Sequence, residues 1–275
     1  MRLILLTSLA MVAFAANSIL NRMAVGQGEI DAQSFALVRL LAGAIMLGAC
    51  LAYRRIGWPG WAGRGVGVAG LLIYLFGFST AYVSLSAGTG ALILFGFVQI
   101  TMFAGALLAR ETVRASRWLG AAMAFAGLVY LMIPSVALGA LGPMVAMSMA
   151  GVGWGIYSLA GRRAGDPLAA TGWNFILAVP MALLVWAGSS AAIATPYWDI
   201  RGLGLAVISG AVTSGLGYAL WYHLVPVLGS ARAAVAQLTV PVLAAAGGLA
   251  LGEALSLRFV IAALVVLGGV AVASR

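Results

Sequence analysis

Long apolar runs, broken at short intervals by Gly, Pro, Asp and Arg clusters, make up most of the chain. A helix needs about 20 apolar residues to cross a bilayer. By that rule the runs predict ten spans, at about 3–23, 32–53, 65–85, 88–109, 118–133, 141–160, 168–187, 202–224, 231–251 and 257–273. The segments RRIGWPGWAGR and RETVRASR, and Arg162, Arg163 and Asp166-Pro167, supply the interruptions.

The pattern also repeats. Residues 88–127 return from Ser230 onward at one ungapped offset of 142 positions, with Leu107/Leu249, Glu111/Glu253 and Gly127/Gly269 in register. Alanine and leucine matches are common in so apolar a chain, but only six residues are acidic, so the aligned glutamates carry the comparison. A second echo sets FAANSILNR, from Phe14, against WGIYSLAGR, from Trp154, with Ser18/Ser158 and Arg22/Arg162 at an offset of 140. Two halves follow, 1–134 and 139–275, each with five helices. An odd number of spans per half reverses the second half across the membrane. The expected fold is therefore an all-α membrane protein, its ten transmembrane helices forming two inverted five-helix repeats around a central cavity. Glu111 then ends helix 4 at one face, and Glu253 ends helix 9 at the other.

Composition removes the soluble alternatives. The chain is 64% hydrophobic and 8% charged, about a third of the charge usual in a soluble domain. The lipid bilayer must serve as its solvent. The net charge of +9 comes from arginine alone, without lysine. On a soluble protein it would suggest nucleic acid, whereas here it reports topology. With the N-terminus in the cytoplasm, 11 of the 15 arginines fall inside and only Arg201 and Arg258 outside, beside Glu29, Asp31, Asp199 and Glu253. This places both termini in the cytoplasm of a bacterial inner (plasma) membrane. The start resembles a signal peptide with an Ala13-x-Ala15 site, but apolarity runs on to Val25 and the repeat sets 14–22 opposite an internal segment, so it is read as helix 1. Cys50 is single, which excludes an internal disulfide.

The halves, the WGIYS segment at Trp154, the VRLLAGA segment around Arg39 and the Glu111 and Glu253 helix ends, with Gly127 and Gly269 beyond them, resemble the drug/metabolite transporter superfamily in its EamA-type, ten-helix branch. The resemblance covers the whole chain. FAANS departs from it, standing where the family often has a Trp-Gly pair. Within the branch, the length and the aromatic-rich third and eighth helices are similar to YddG-type aromatic amino-acid exporters. The resemblance implies export of amino acids.

The candidate chemistry is that of a binding cavity. Tyr74, Phe78 and Tyr82 form one stripe on helix 3, and Ser214, Tyr218 and Tyr222, with Trp221 beside them, form one on helix 8. Such stripes serve core packing as readily as ligand walls. Ser79 and Thr80 add hydroxyls. Phe95 aligns with Gln237 and Gln99 with Pro241, so each half offers one amide, which is less costly facing a cavity than lipid. Trp154, Tyr157 and Ser158 on helix 6 and Asn174 on helix 7 complete the set. The substrate-binding candidates are thus Tyr74, Phe78, Thr80, Tyr82, Phe95, Gln99, Trp154, Tyr157, Tyr218 and Gln237. Aromatic faces suit an apolar side chain and attract an ammonium group. Arg39, about 10 Å into helix 2, either meets a substrate carboxylate or braces the structure, and the brace is favoured. Pro241 and Pro180 are read as flexing points. The helical spacing of Gly151/Gly155 and Gly248/Gly252 suits close helix contacts.

No acidic residue falls at mid-span, so nothing predicts proton coupling by an embedded carboxylate. One histidine, His223, supports no metal cluster, and no nucleotide loop or nucleophile–base set occurs, so neither a cofactor nor an enzyme is expected. The reading is an uncoupled alternating-access exporter of small amino acids and related metabolites, chiefly aromatic or apolar. The alternatives are an exporter of lipophilic cations or of another metabolite, possibly proton-coupled, an intramembrane lipid enzyme, and a channel.

Overall fold

The computed structural model describes residues 2–108, 114–137, 141–161, 165–192, 195–237 and 239–273. The described residues are helical, apart from short loops and one isolated bridge between Ile30 and Trp198. The helices are α1 (Arg2–Val25), α2 (Ala32–Tyr53), α3 (Arg64–Ala81), α4 (Ala87–Leu108), α5 (Ala115–Ala137), α6 (Leu141–Gly161), α7 (Pro167–Ala192) and α8 (Ile200–Ile208). A π-helical segment, Ser209–Leu216, joins α8 to α9 (Gly217–Gln237), and α10 (Thr239–Ala250) and α11 (Leu257–Ala273) follow. Among the described residues seven helical stretches are long and apolar enough to cross a membrane, and Trp118–Ile133, Thr239–Ala250 and Leu257–Ala273 are shorter apolar helices.

The eighth and ninth expected spans differ most from the sequence reading. Gly229 and Ser230 read as a turn, yet both lie within α9, which runs on to Gln237. Pro241 was expected to break a helical ladder. It is buried in α10. Pro180 and Pro226 lie inside helices, α7 and α9. Gly252 is no helix-contact residue. It follows α10 at φ +82°, a left-handed conformation that glycine adopts without strain.

The packing partners have a regular order. α3 lies along α6, while the α8–π–α9 stretch lies along α1. α4 packs on α6, and α10 on α1. α2 meets α7, α4 meets α10, and α5 meets α11. Exchanging α1–α5 for α6–α11 maps this list onto itself. Small residues permit the approach, as is usual where helices pack without a hydrophobic driving force. A Cβ on Gly70 would stand 2.8 Å from the Gly153 carbonyl oxygen, and one on Gly153 2.7 Å from that of Gly70, so α3 and α6 touch backbone to backbone. Gly151 and Gly155 face Leu94, Phe97 and Thr101 of α4. The register-matched pair Gly127 and Gly269 both sit in the α5–α11 contact.

One face of the bundle is clasped by polar contacts. Asp31 caps α2, and Asp199 caps α8. The two loops are tied by Asp31 N–H to the Tyr197 carbonyl at 3.1 Å and by Asp199 N–H to the Glu29 carbonyl at 2.9 Å. Arg201 pairs with Glu29 at 2.6 Å. On the same face the Arg22 Nε donates to Glu253 at 2.8 Å, and the other Glu253 oxygen accepts the Ala87 N–H at the start of α4. Arg22 thus pairs with a carboxylate from the far end of the chain. Its repeat-matched glutamate, Glu111, lies outside the described residues.

Gly153→Ala should lower the thermal unfolding midpoint of the detergent-solubilised protein, because its methyl must push two helix backbones apart at a cost of about 1–3 kcal/mol. Gly204→Ala, where a Cβ meets nothing within 4 Å, should leave the midpoint unchanged or raise it. Equal midpoints for the two variants would contradict this packing.

Candidate substrate cavity

The cavity forms where α1, α3, α4, α6 and α9 meet. Its lining is Phe14, Asn17, Tyr74, Phe78, Leu94, Phe95, Trp154 and Tyr218. Most of these residues stand near the middle of their helices. Phe14 and Trp154, which the sequence sets in register, touch edge to face at 5.5 Å. Tyr74 and Tyr218, one from each aromatic stripe, lie hydroxyl to hydroxyl at 2.9 Å. The enclosed space is about 10 Å³, room for about one water molecule. The rings must separate before a larger molecule can enter.

Five of the ten candidate residues line this space: Tyr74, Phe78, Phe95, Trp154 and Tyr218. Tyr82 and Tyr157 join it through ring contacts. A continuous path runs from Tyr82 to Phe78 (4.7 Å between centroids), Tyr74 (5.2 Å), Trp154 (5.0 Å), Tyr157 (5.5 Å) and Tyr222 (5.2 Å). The remaining three stand elsewhere. Thr80 is exposed and accepts a hydrogen bond from Gln33 at 3.2 Å. Gln99 is half-buried on α4 and outside the lining. Gln237 is buried and outside the lining, so neither amide reaches the cavity wall. Among the weaker candidates, Ser79 accepts from Asn21 at 3.0 Å, and Asn174 accepts from Arg64 at 3.1 Å.

Arg39 stands behind the lining and is fully buried. Its Nε donates to Ser214 Oγ at 2.8 Å, and its Nη2 donates to the Tyr74 Oη at 2.8 Å and the Tyr218 Oη at 2.7 Å. Its guanidinium carbon also lies 5.3 Å and 5.0 Å from the ring centroids of Tyr74 and Phe78. Those ring faces, which the sequence offered to a substrate ammonium, are turned to the protein's own cation. No acidic side chain pairs with Arg39 among the described residues.

The π segment places Ser214 and Tyr218. Asn17 Oδ1 accepts from Ser209 at 2.9 Å, from Thr213 at 2.5 Å and from Ser214 at 3.2 Å, and its Nδ2 donates to the Thr213 carbonyl at 3.3 Å. A wide π turn leaves backbone and hydroxyl groups in need of partners, and Asn17 supplies them from α1. Phe14, Asn17 and Leu94 were not among the sequence candidates. The register of Phe14 with Trp154 was the available signal for the first, and polarity inside an apolar span for the second.

Comparisons with known proteins fit this architecture. The EamA-like transporter family matches the chain twice, over residues 1–133 and 141–275. An uncharacterised protein of Pseudomonas aeruginosa is 45% identical over 273 residues, covering 98% of this chain and 93% of the other. A crystal structure of a protein 22% identical superposes with a TM-score of 0.67, covering 97% of this chain and 96% of that one. At that identity the likeness concerns the fold. These matches do not single out the YddG-type exporters within the family.

Asn17→Leu should strip four hydrogen bonds from the π segment and lower the unfolding midpoint, at a cost of about 1–3 kcal/mol for each buried group left unsatisfied. Asn17→Asp, which keeps the acceptor, should lose less. If Asn17→Leu is as stable as the parent protein, the anchoring role fails.

Proposed function

The chain belongs to the EamA-like transporter family of the drug/metabolite transporter superfamily, and on that premise we propose that it carries aromatic and other apolar amino acids out of the cell by alternating access, without ion coupling. Transport, rather than catalysis, is what this family performs. The observation that carries the substrate class is the cavity wall: six of its eight residues are aromatic and its polar groups are uncharged. Such a wall suits a flat apolar side chain, and desolvation of that side chain supplies the binding free energy.

The exchange-symmetric packing of α1–α5 against α6–α11 supports two inverted five-helix repeats, an architecture in which one half rocks against the other around a central site. The small enclosed volume fits a state closed around that site. The clasped face, rich in acidic side chains, is read as the outer one, which leaves both termini in the cytoplasm of a bacterial inner membrane. The uncoupled reading is supported by the acidic residues that the structure describes, all of which lie at helix ends or in loops. A lipophilic cation fits less well, since two ring faces already hold Arg39.

Proteoliposomes preloaded with phenylalanine should accumulate labelled tryptophan, phenylalanine and methionine by counterflow, at rates indifferent to an imposed pH gradient. Phe95→Ala and Trp154→Ala should lower uptake at least several-fold without lowering the amount of protein in the membrane. Uptake driven by the gradient would replace the uncoupled mechanism with a coupled one. No uptake of any of the three would reject amino acids as substrates.

A further inference from the structure

The hydrogen-bonding groups around the cavity have a common sign. Arginine is donor-only, so the Arg39 Nη2 obliges both tyrosine oxygens to accept. Tyr218 then gives its single proton to the Tyr74 Oη. The Tyr74 oxygen now accepts twice, and its own proton has no acceptor within the protein among the described residues. Reversing the order of the pair only transfers the spare proton to Tyr218, which lines the same space. A second donor stands beside it. Trp154 is 2% exposed, lines the cavity, and its Nε1–H has no hydrogen-bond partner among the described residues. A third, Arg39 Nη1, is likewise buried and without a hydrogen-bond partner among the described residues. The acceptor that could have answered them, Asn17 Oδ1, is taken by three hydroxyls.

We propose that the cavity recognises the carboxylate of its substrate, through the spare tyrosine O–H of the Tyr74–Tyr218 pair and the Trp154 Nε1–H, with Arg39 behind them as the compensating charge. Buried donors without acceptors, beside a buried cation without an anion, form a site whose missing half is an anionic acceptor. The guanidinium polarises the tyrosine pair, making the outermost O–H a stronger donor than an isolated phenol. Arg39 is a positioning residue here, because the hydroxyls and rings of Tyr74, Phe78 and Tyr218 lie against it. An amine gains nothing from these groups and would be repelled by the guanidinium. This inference rests on the cavity assignment above but not on amino acids being the cargo, since any carboxylate with an apolar body of suitable size would satisfy it.

The test compares three probes of one skeleton on the purified full-length protein: L-phenylalanine, 3-phenylpropionate, which lacks the ammonium, and phenethylamine, which lacks the carboxylate. Ligand-induced thermal stabilisation gives affinity, and inhibition of labelled phenylalanine counterflow gives a second readout. Phenylpropionate should stabilise the protein and phenethylamine should not. Trp154→Phe and the double variant Tyr74→Phe/Tyr218→Phe keep aromatic rings and each remove one spare donor (the single Tyr74→Phe change would only free the Tyr218 O–H), so each should weaken phenylpropionate binding about 5–30-fold. Arg39→Lys, which keeps the charge but loses the fork of donors, should weaken it as well. Phenethylamine binding as tightly as phenylpropionate, neither probe binding, or undiminished phenylpropionate affinity in both Phe variants would overturn the proposal. Phenylpropionate binding that depends on the tyrosine pair, without any amino-acid transport, would instead reject the amino-acid reading and retain the carboxylate site.

Discussion

The buried guanidinium of Arg39 is the constraint around which the middle of this protein is arranged. An ion enclosed in an apolar bundle costs several kcal/mol unless its surroundings answer it. No carboxylate does so here among the described residues. The answer comes from Ser214, Tyr74 and Tyr218, three hydrogen bonds to a charged donor worth about 1.5–3 kcal/mol each. Two aromatic faces add cation–π attraction. These partners come from α3, the π segment and α9, so the charge on α2 fastens both halves of the chain to one point.

Other features follow from that fastening. The π turn at Ser209–Leu216 widens the helix where Ser214 must reach Arg39. Gly210 lets the π segment lie directly on the α2 backbone at Arg39, where no side chain would fit. Asn17 answers the polar groups that the wider turn exposes. Tyr74 and Tyr218 are held by the guanidinium at the cavity wall, and Phe14, Trp154 and Phe95 close around them. The cavity is therefore aromatic in its walls and donor-rich in its polar groups, a combination suited to an apolar molecule that carries an anionic head.

The two ends of the bundle differ. On one face the Ile30–Trp198 bridge, two aspartate caps and the Arg22–Glu253 pair join loops from both halves. Glu253 answers both Arg22 and the first N–H of α4, so a single side chain links α1, α4 and the α10–α11 turn. For a carrier, such a face must come apart before the site is exposed there. The Arg22–Glu253 pair is partly buried, with side chains 25% and 14% exposed, and the glycine-lined α3–α6 contact is closed backbone to backbone.

Hydropathy alone determined that the chain lives in a membrane and is helical, because too little polar surface exists for any other solvent. Register alone paired Phe14 with Trp154 and Glu111 with Glu253, and the arrangement of helices respects the same division of the chain. The aromatic stripes on the third and eighth spans pointed to Tyr74, Phe78 and Tyr218, since i, i+4 spacing puts residues on one helix face whatever that face meets. The tertiary structure decided what that face meets. Thr80 and Gln99 share helices with lining residues but stand outside the cavity, and so does the buried Gln237. Sequence favoured a brace over a substrate contact for Arg39 but could not name its partners, since both roles begin from the same side chain seven residues into a helix. Only the arrival of Ser214, Tyr74 and Tyr218 from distant parts of the chain settles that this cation is held within the protein, and long-range hydrogen bonds of that kind leave no periodicity in a sequence.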